Sequence, residues 1–314
     1  MNIITKADRR RRRVAAIGMW DGLHLGHRFL IDYLLLEARN RGLTPAVVTF
    51  SDHPKRVVDP EKAPMMLSTL TDRVDALGAQ GVVDIILLSF NERMRRQSAR
   101  KFLERLKKSF GVDTLVVGFN NRFGHDRADG LKEYQAIGNE IDLEIVAAPE
   151  YRNPDNQTIS SSTIREHVAA GRVEEAGRLL GHPYALRGIV IEGKHLGRTM
   201  GFPTANLRPS ASNTLIPGTG VYATYVTTPD GMRRPAVVNI GFRPTVDNPE
   251  LSSPELSIEI HIPGFTGYLY DDELLVEFMH RLRDEQRFKD INQLRKAIGL
   301  DVSDTLRRLA ADLK

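Results

Sequence analysis

The feature that most restricts what this chain can fold into is an alternation running through its first half. Short apolar runs at 14–18, 46–50, 82–90, 114–118 and 143–147 are separated by segments with helical periodicity. In 27–40, Leu30, Ile31, Leu34, Leu35 and Ala38 fall on one helical face. In 98–110, Ser98 is placed to cap the amino end and Gly111 to close the carboxyl end. Strand–helix alternation of this kind predicts an α/β fold, a parallel sheet with helices on both faces. Two shorter helical patterns, 162–170 and 173–180, end this half.

After Gly181-His182-Pro183 the texture changes. Segments 186–191, 220–228, 236–240, 256–262 and 274–278 are β-rich, with glycine and proline punctuation and a Pro229-Asp230-Gly231 turn, which predicts a small antiparallel barrel. A helical pattern over 291–313 finishes the chain. The expected division is therefore a domain of 1–184 and a second of 185–314, and 314 residues suffice for two separate cores. With no cysteine, neither a disulfide framework nor a thiolate metal site can form. No run reaches the roughly 20 apolar residues of a membrane span. The arginine run 9–13 reads as a solvated basic arm. The net charge of +4 favours anionic ligands, and phosphates on small molecules satisfy that as well as nucleic acid does.

The sharpest local signal is Gly18-Met19-Trp20-Asp21-Gly22-Leu23-His24-Leu25-Gly26-His27, between the first strand and the first helix. In an open α/β sheet the ligand crevice lies at the carboxyl ends of the strands, where this segment falls. Gly22 and Gly26 permit close backbone approach to a ligand. His27 opens a helix, whose free N–H groups and dipole favour a phosphate. Two imidazoles three residues apart could stabilise charge that builds up there during transfer. A tight turn with packing histidines is the bland alternative, and a zinc site is a weaker one.

The segment resembles the HxGH nucleotidyltransferase superfamily, and within it the FAD synthetase branch, with Trp20 where that branch usually has phenylalanine. Two further segments resemble the same branch: 117–124, with Asn120 at the polar position and Asn121 replacing a phenylalanine, and 159–165, with Ser161, Ser162 and Arg165. The resemblance implies a Rossmann-like adenylyltransferase domain in which Gly18, Asp21, Gly22, His24, His27, Asn120, Ser161, Ser162 and Arg165 bind ATP or its phosphates. A serine cluster at a helix start, followed by an arginine on the same face, suits phosphate oxygens.

A second segment, Gly193 to Asn206, is a glycine-punctuated loop after a strand, of a kind able to wrap phosphates with backbone N–H groups. It lacks the Gly-Lys-Ser/Thr of a Walker A loop. Thr204 and Asn206 offer neutral oxygens to a magnesium nucleotide. This segment, with Pro203-Thr204-Ala205-Asn206, resembles the riboflavin kinase family, as do 239–245, 257–262 and 281–288. The resemblance implies a six-stranded antiparallel barrel with a C-terminal helix, in which Gly193, Gly197, Arg198, Gly201, Thr204, Asn206, Arg283 and Glu285 contact ATP or flavin. Thr204 and Asn206 would hold Mg²⁺, and Glu259 would act as the base. Glu259 alternates with Ile258 and Ile260 and so projects from the opposite face of its strand.

Together the resemblances cover residues 14–305 and imply two ATP-dependent steps, riboflavin to FMN and FMN to FAD. Expected partners are riboflavin, FMN, FAD and ATP, with Mg²⁺ at the nucleotide, in the cytoplasm. No membrane and no specific nucleic acid is expected, and self-association is left open. A different HxGH transferase accounts only for the first half. A nucleic-acid-binding protein would show basic and aromatic residues interleaved along a face, and none is seen beyond the arginine run.

Overall fold

A computed structural model describes residues 1–118, 123–124, 130–153, 156, 158–193, 197, 201–242 and 256–312. Six strands of the first half, β1 (Asn2–Ile4), β2 (Arg13–Ile17), β3 (Thr44–Phe50), β4 (Asp84–Leu88), β5 (Val112–Val117) and β6 (Glu144–Ala147), form a parallel sheet. Their spatial order is β1-β4-β3-β2-β5-β6. Alternate residues of β2 feed opposite cores. Ala15 and Ile17 join Val48, Phe102 and Leu115, whereas Val14 and Ala16 join Ile31, Leu34 and Val47. Burial on both faces is why these strands read as continuous apolar runs. The strand order reverses between β2 and β5, the switch point at which such sheets bind ligands. The histidine-bearing segment leaves the carboxyl end of β2, as its sequence position implied.

The first helix spans Leu25–Arg41, two residues longer at its start than the periodicity suggested, because His24 caps it. Ser98 caps helix Ala99–Phe110 by accepting from the Lys101 N–H, and Gly111 closes it with a left-handed φ of 61°. Two readings need correction. β1, a three-residue strand paired with β4, is too short to show in the sequence pattern. The run 9–13 is not uniformly solvated, since Arg13 enters β2 fully buried and pairs with buried Asp84 at 2.7 Å.

In the second half, β7 (Tyr184–Ile191), β8 (Ala205–Pro209), β9 (Gly220–Thr227), β10 (Arg233–Phe242), β11 (Leu256–His261) and β12 (Glu273–Arg283) close into a barrel in the order β10-β11-β8-β7-β12-β9, every pairing antiparallel. Tyr184, Leu186, Gly188 and Val190 alternate into the buried side of β7. Helix Ile291–Ala311 lays Leu309 against Ala223 and Tyr225.

The chain divides into two compact units, Met1–Pro64 with Leu70–Ser160, and Met65–Thr69 with Ser161–Lys314. Helices Ser161–Ala169 and Val173–Leu180 thus count with the barrel.

Candidate active sites

In the first unit the loop after β2 is a sequence of left-handed residues. Trp20 sits at φ 57°, Gly22 at 75° and Leu23 at 39°. Only Gly22 takes such a conformation without a Cβ penalty, so Trp20 and Leu23 must be held there by their surroundings. Trp20 is wholly buried, its indole N–H donating to the Val48 carbonyl at 3.3 Å. The Gly18 N–H reaches the same carbonyl at 3.1 Å. A Cβ on Gly18 would stand 3.1 Å from the indole, so the ring is packed over this glycine.

The turn delivers two imidazoles to one helix terminus. His24 is the N-cap, its Nδ1 accepting from the His27 N–H at 3.2 Å. That bond fixes the His24 tautomer, leaving its proton on Nε2. The His24 and His27 rings stack at 3.6 Å, inclined by 15°. Asp21 lies buried within the loop. The structure therefore brings together Gly18, Asp21, Gly22, His24 and His27, beside the amino end of a 17-residue helix. An anion is favoured at such a terminus by free N–H groups and the helix dipole.

Sequence reasoning missed Arg73. It lies on helix Leu70–Ala79, only 2% exposed, and donates to the carbonyls of Met19 and Phe50, each at 2.9 Å. Burial pulls its pKa down, while the carboxylates of Asp21 and Asp52 oppose that shift. A cation on the apolar stripe of Leu70, Val74 and Leu77 was the available signal.

Asn120 lies outside the described residues. Beyond it, Phe123 stacks on Tyr134 at 4.0 Å and donates its N–H to the Tyr134 hydroxyl at 2.9 Å. Ser161, Ser162 and Arg165 fall on helix Ser161–Ala169, which starts one residue earlier than expected. Ser162 is exposed, and the Arg165 Nε donates to the Met65 carbonyl at 2.7 Å.

In the second unit, Asn206 on β8 faces Glu259 on β11 in direct register, and Asn239 on β10 faces Glu259 from the other side. Directly paired residues of antiparallel strands share a face, their Cβ atoms roughly 4.5–5.5 Å apart. Ile258 and Ile260 are buried, whereas Glu259 is half-buried. A Cβ on Gly193 would collide with the Asn206 amide, and one on Gly197 would meet Thr204 Oγ1 at 3.1 Å. Gly193 and Gly197 thus lie against the two neutral oxygen donors. Buried His261 donates from Nδ1 to the Pro203 carbonyl at 2.9 Å, fixing the peptide before Thr204.

Gly201 is exposed at φ 83°. Arg198 lies outside the described residues, as do 243–245 of the motif that begins at Asn239. Arg283 gives its fork to Asp301 on the C-terminal helix, at 2.9 and 2.7 Å. The Glu285 carboxylate packs on Gly241, where any Cβ would collide with it. Among the described residues no group of three or more His, Cys, Asp or Glu side chains could hold a metal. The hydroxyl and amide oxygens of Thr204 and Asn206 suit a hard cation that takes its remaining ligands from phosphates and water.

Residues 6–163 match the FAD synthetase family model and residues 180–309 the riboflavin kinase model. The bifunctional riboflavin kinase/FMN adenylyltransferase of Pseudomonas fluorescens is 38% identical over 299 residues, covering 95% of this chain and 93% of that protein. The enzyme of the same description from Bacillus subtilis (strain 168) is 34% identical over 298 residues, covering 94% and 92%. A crystal structure described as a macrolide-efflux protein from Streptococcus pneumoniae aligns with a TM-score of 0.85 at 30% identity, covering 96% and 97%. Among the described residues no helix is long and apolar enough to cross a membrane.

Proposed function

This chain belongs to the bifunctional riboflavin kinase/FMN adenylyltransferase family, and from that membership we infer that it makes FAD from riboflavin in two ATP-dependent steps. The observation that carries the reading is that each compact unit holds its own transfer-competent constellation. One has stacked imidazoles at a helix terminus; the other has an Asn–Glu pair beside a glycine loop. We keep residue 184 as the boundary between the two activities, 1–184 for adenylyl transfer and 185–314 for the kinase. The barrel begins there, and the riboflavin kinase match begins at 180.

In the kinase step the ribityl hydroxyl of riboflavin attacks the γ-phosphorus of ATP, and ADP leaves. Glu259 takes the hydroxyl proton as the new P–O bond forms. Thr204 and Asn206 would hold Mg²⁺, which would supply charge neutralisation on the phosphate oxygens. The backbone of Gly193, Gly197 and Gly201 lines the nucleotide, with Arg198, while Arg283 and Glu285 border the flavin. Support for these roles comes from the register of Asn206 with Glu259 and from the contact of Gly197 with Thr204.

In the second step the FMN phosphate attacks the α-phosphorus of another ATP, and pyrophosphate leaves. The FMN phosphate is largely ionised at neutral pH, its second pKa being about 6. No strong base is needed, so the residues required are charge stabilisers. His24 and His27 serve the phosphates, with Gly18, Asp21 and Gly22 shaping the approach. Asn120, Ser161, Ser162 and Arg165 add polar contacts to ATP. Both steps consume ATP, and we assign them to the cytoplasm.

The test is incubation of the protein with riboflavin, ATP and Mg²⁺, followed by chromatography of the flavins. FMN and then FAD should accumulate. A folded sample that forms neither would overturn the reading.

A further inference from the structure

The loop that carries the histidines is stitched to the end of β3 by bonds that converge on a few carbonyls. Val48 O receives the Gly18 N–H and the Trp20 indole. Met19 O receives the Thr49 hydroxyl at 3.4 Å and one arm of Arg73 at 2.9 Å, while the other arm of Arg73 holds Phe50 O. Arg73 bridges the two backbones from a third element, and it does so from a buried position. Between Met19 and the cap at His24 lie Trp20 and Leu23, both non-glycine residues at positive φ. Such conformations persist only where the surroundings over-determine them.

We propose that Arg73 is a positioning residue for adenylyl transfer, clamping the Met19 and Phe50 carbonyls so that the left-handed turn keeps His24 at the helix cap and its ring stacked on His27. The inference rests on the histidine loop being the adenylyl-transfer site. Arginine is suited to the task because its planar fork reaches two acceptors at once, and it remains charged when buried. Its charge also lies close enough to buried Asp21 to act on it electrostatically. A lysine would have to reach both carbonyls from a single nitrogen, without the spread of the guanidinium fork.

Trp20 is the single tryptophan of the chain, so tryptophan emission from the native protein comes from this loop. In Arg73→Met, fluorescence should shift to longer wavelength and acrylamide quenching should rise several-fold. The kcat of FMN adenylylation should fall about 10²-fold, while the KM for ATP changes less than threefold. Arg73→Lys should fall between wild type and Arg73→Met in both readings. Riboflavin phosphorylation by the same samples should be unchanged, showing that the barrel unit is folded, and a wild-type circular dichroism spectrum should show the same for the first unit.

Wild-type protein and His27→Ala provide the control for the underlying reading. If His27→Ala forms FAD at the wild-type rate, the loop is not the transfer site. If His27→Ala is inactive while Arg73→Met keeps wild-type quenching and kcat, the clamp is refuted and the site reading stands. Should Arg73→Met not fold, Arg73→Lys decides. Wild-type quenching and kcat in Arg73→Lys would refute the two-carbonyl clamp.

Discussion

Asn206 and Glu259 are direct partners across β8 and β11, and Asn239 of β10 pairs with Glu259 from the other side, so motif amides flank the proposed catalytic carboxylate. Because the pairing is fixed by the sheet, the nucleotide ligand and the base are positioned by backbone geometry rather than by loop conformation. Replacing Glu259 by glutamine removes the base and keeps the shape. The kcat for riboflavin phosphorylation should fall on the order of 10²- to 10⁴-fold, with little change in the KM for ATP. Asn206→Leu should instead raise that KM. FAD formation from supplied FMN should survive both changes. Steady-state kinetics on each half-reaction would expose an error if Glu259→Gln lost only ATP affinity.

His24 does two things that substitution can separate. Its Nδ1 caps a helix, and its ring stacks on His27. Asparagine is a good N-cap but brings no imidazole. His24→Asn should therefore unfold at nearly the wild-type temperature and lose about 10²- to 10³-fold in adenylylation rate, as when one preorganised donor is removed. His24→Ala should show the same kinetic loss and, in addition, about 0.5–2 kcal/mol less stability. Equal stabilities for the two variants would mean that the cap contributes nothing.

The parallel sheet and the barrel were legible because each rests on one-dimensional periodicity that the sequence carries directly. What stayed hidden depends on partners distant along the chain. β1 is three residues long, too short for any period, and exists because Asp84 and the edge of β4 accept it. The strand β8 follows Pro203 and begins inside a motif that reads as loop, so chemistry masked structure there. Arg13 looked like the end of a basic tail, and Arg73 belongs to no motif; their burial follows from carbonyls and carboxylates supplied by other elements. The site motifs were readable as types of residue. The stack of His24 on His27, and the pairing of Asn206 with Glu259, required the fold.

Tyr222 on β9 gives the barrel unit an alkaline signature. It is buried, its hydroxyl donates to the Gly218 carbonyl, and burial foremost raises its pKa from 10.0 to about 12. The folded state thus holds a proton that the unfolded chain releases near pH 10. Its contribution is complete below pH 10 and is lost as pH rises toward 12, a change on the order of 2–3 kcal/mol. Ultraviolet titration should show a tyrosine ionising toward pH 12, and Tyr222→Phe should remove that step together with part of the stability loss between pH 10 and 12. An unchanged titration in the variant would contradict this.

The arginine run offers a final contrast, because two of its members differ in burial and not in chemistry. Arg12 pairs with Asp113 at the surface, its side chain 77% exposed, and such pairs contribute roughly 0–1 kcal/mol. Arg13 and Asp84 are each 1% exposed; Arg13 also donates to the Phe110 carbonyl at 2.6 Å, and Asp84 accepts from Asn2 of β1 at 2.7 Å. Arg13→Met leaves the buried Asp84 carboxylate with only Asn2 and a longer pair to half-exposed Arg11 at 3.6 Å, and should destabilise the first unit by up to about 3–5 kcal/mol, whereas Arg12→Met should be almost silent. Adding Asp84→Leu to Arg13→Met should restore much of the loss, since a buried pair replaced by apolar groups is often neutral. Urea unfolding followed by Trp20 fluorescence measures all three. A double variant no more stable than Arg13→Met would show that the guanidinium matters for the Phe110 and Asp8 carbonyls it holds rather than for the charge of Asp84.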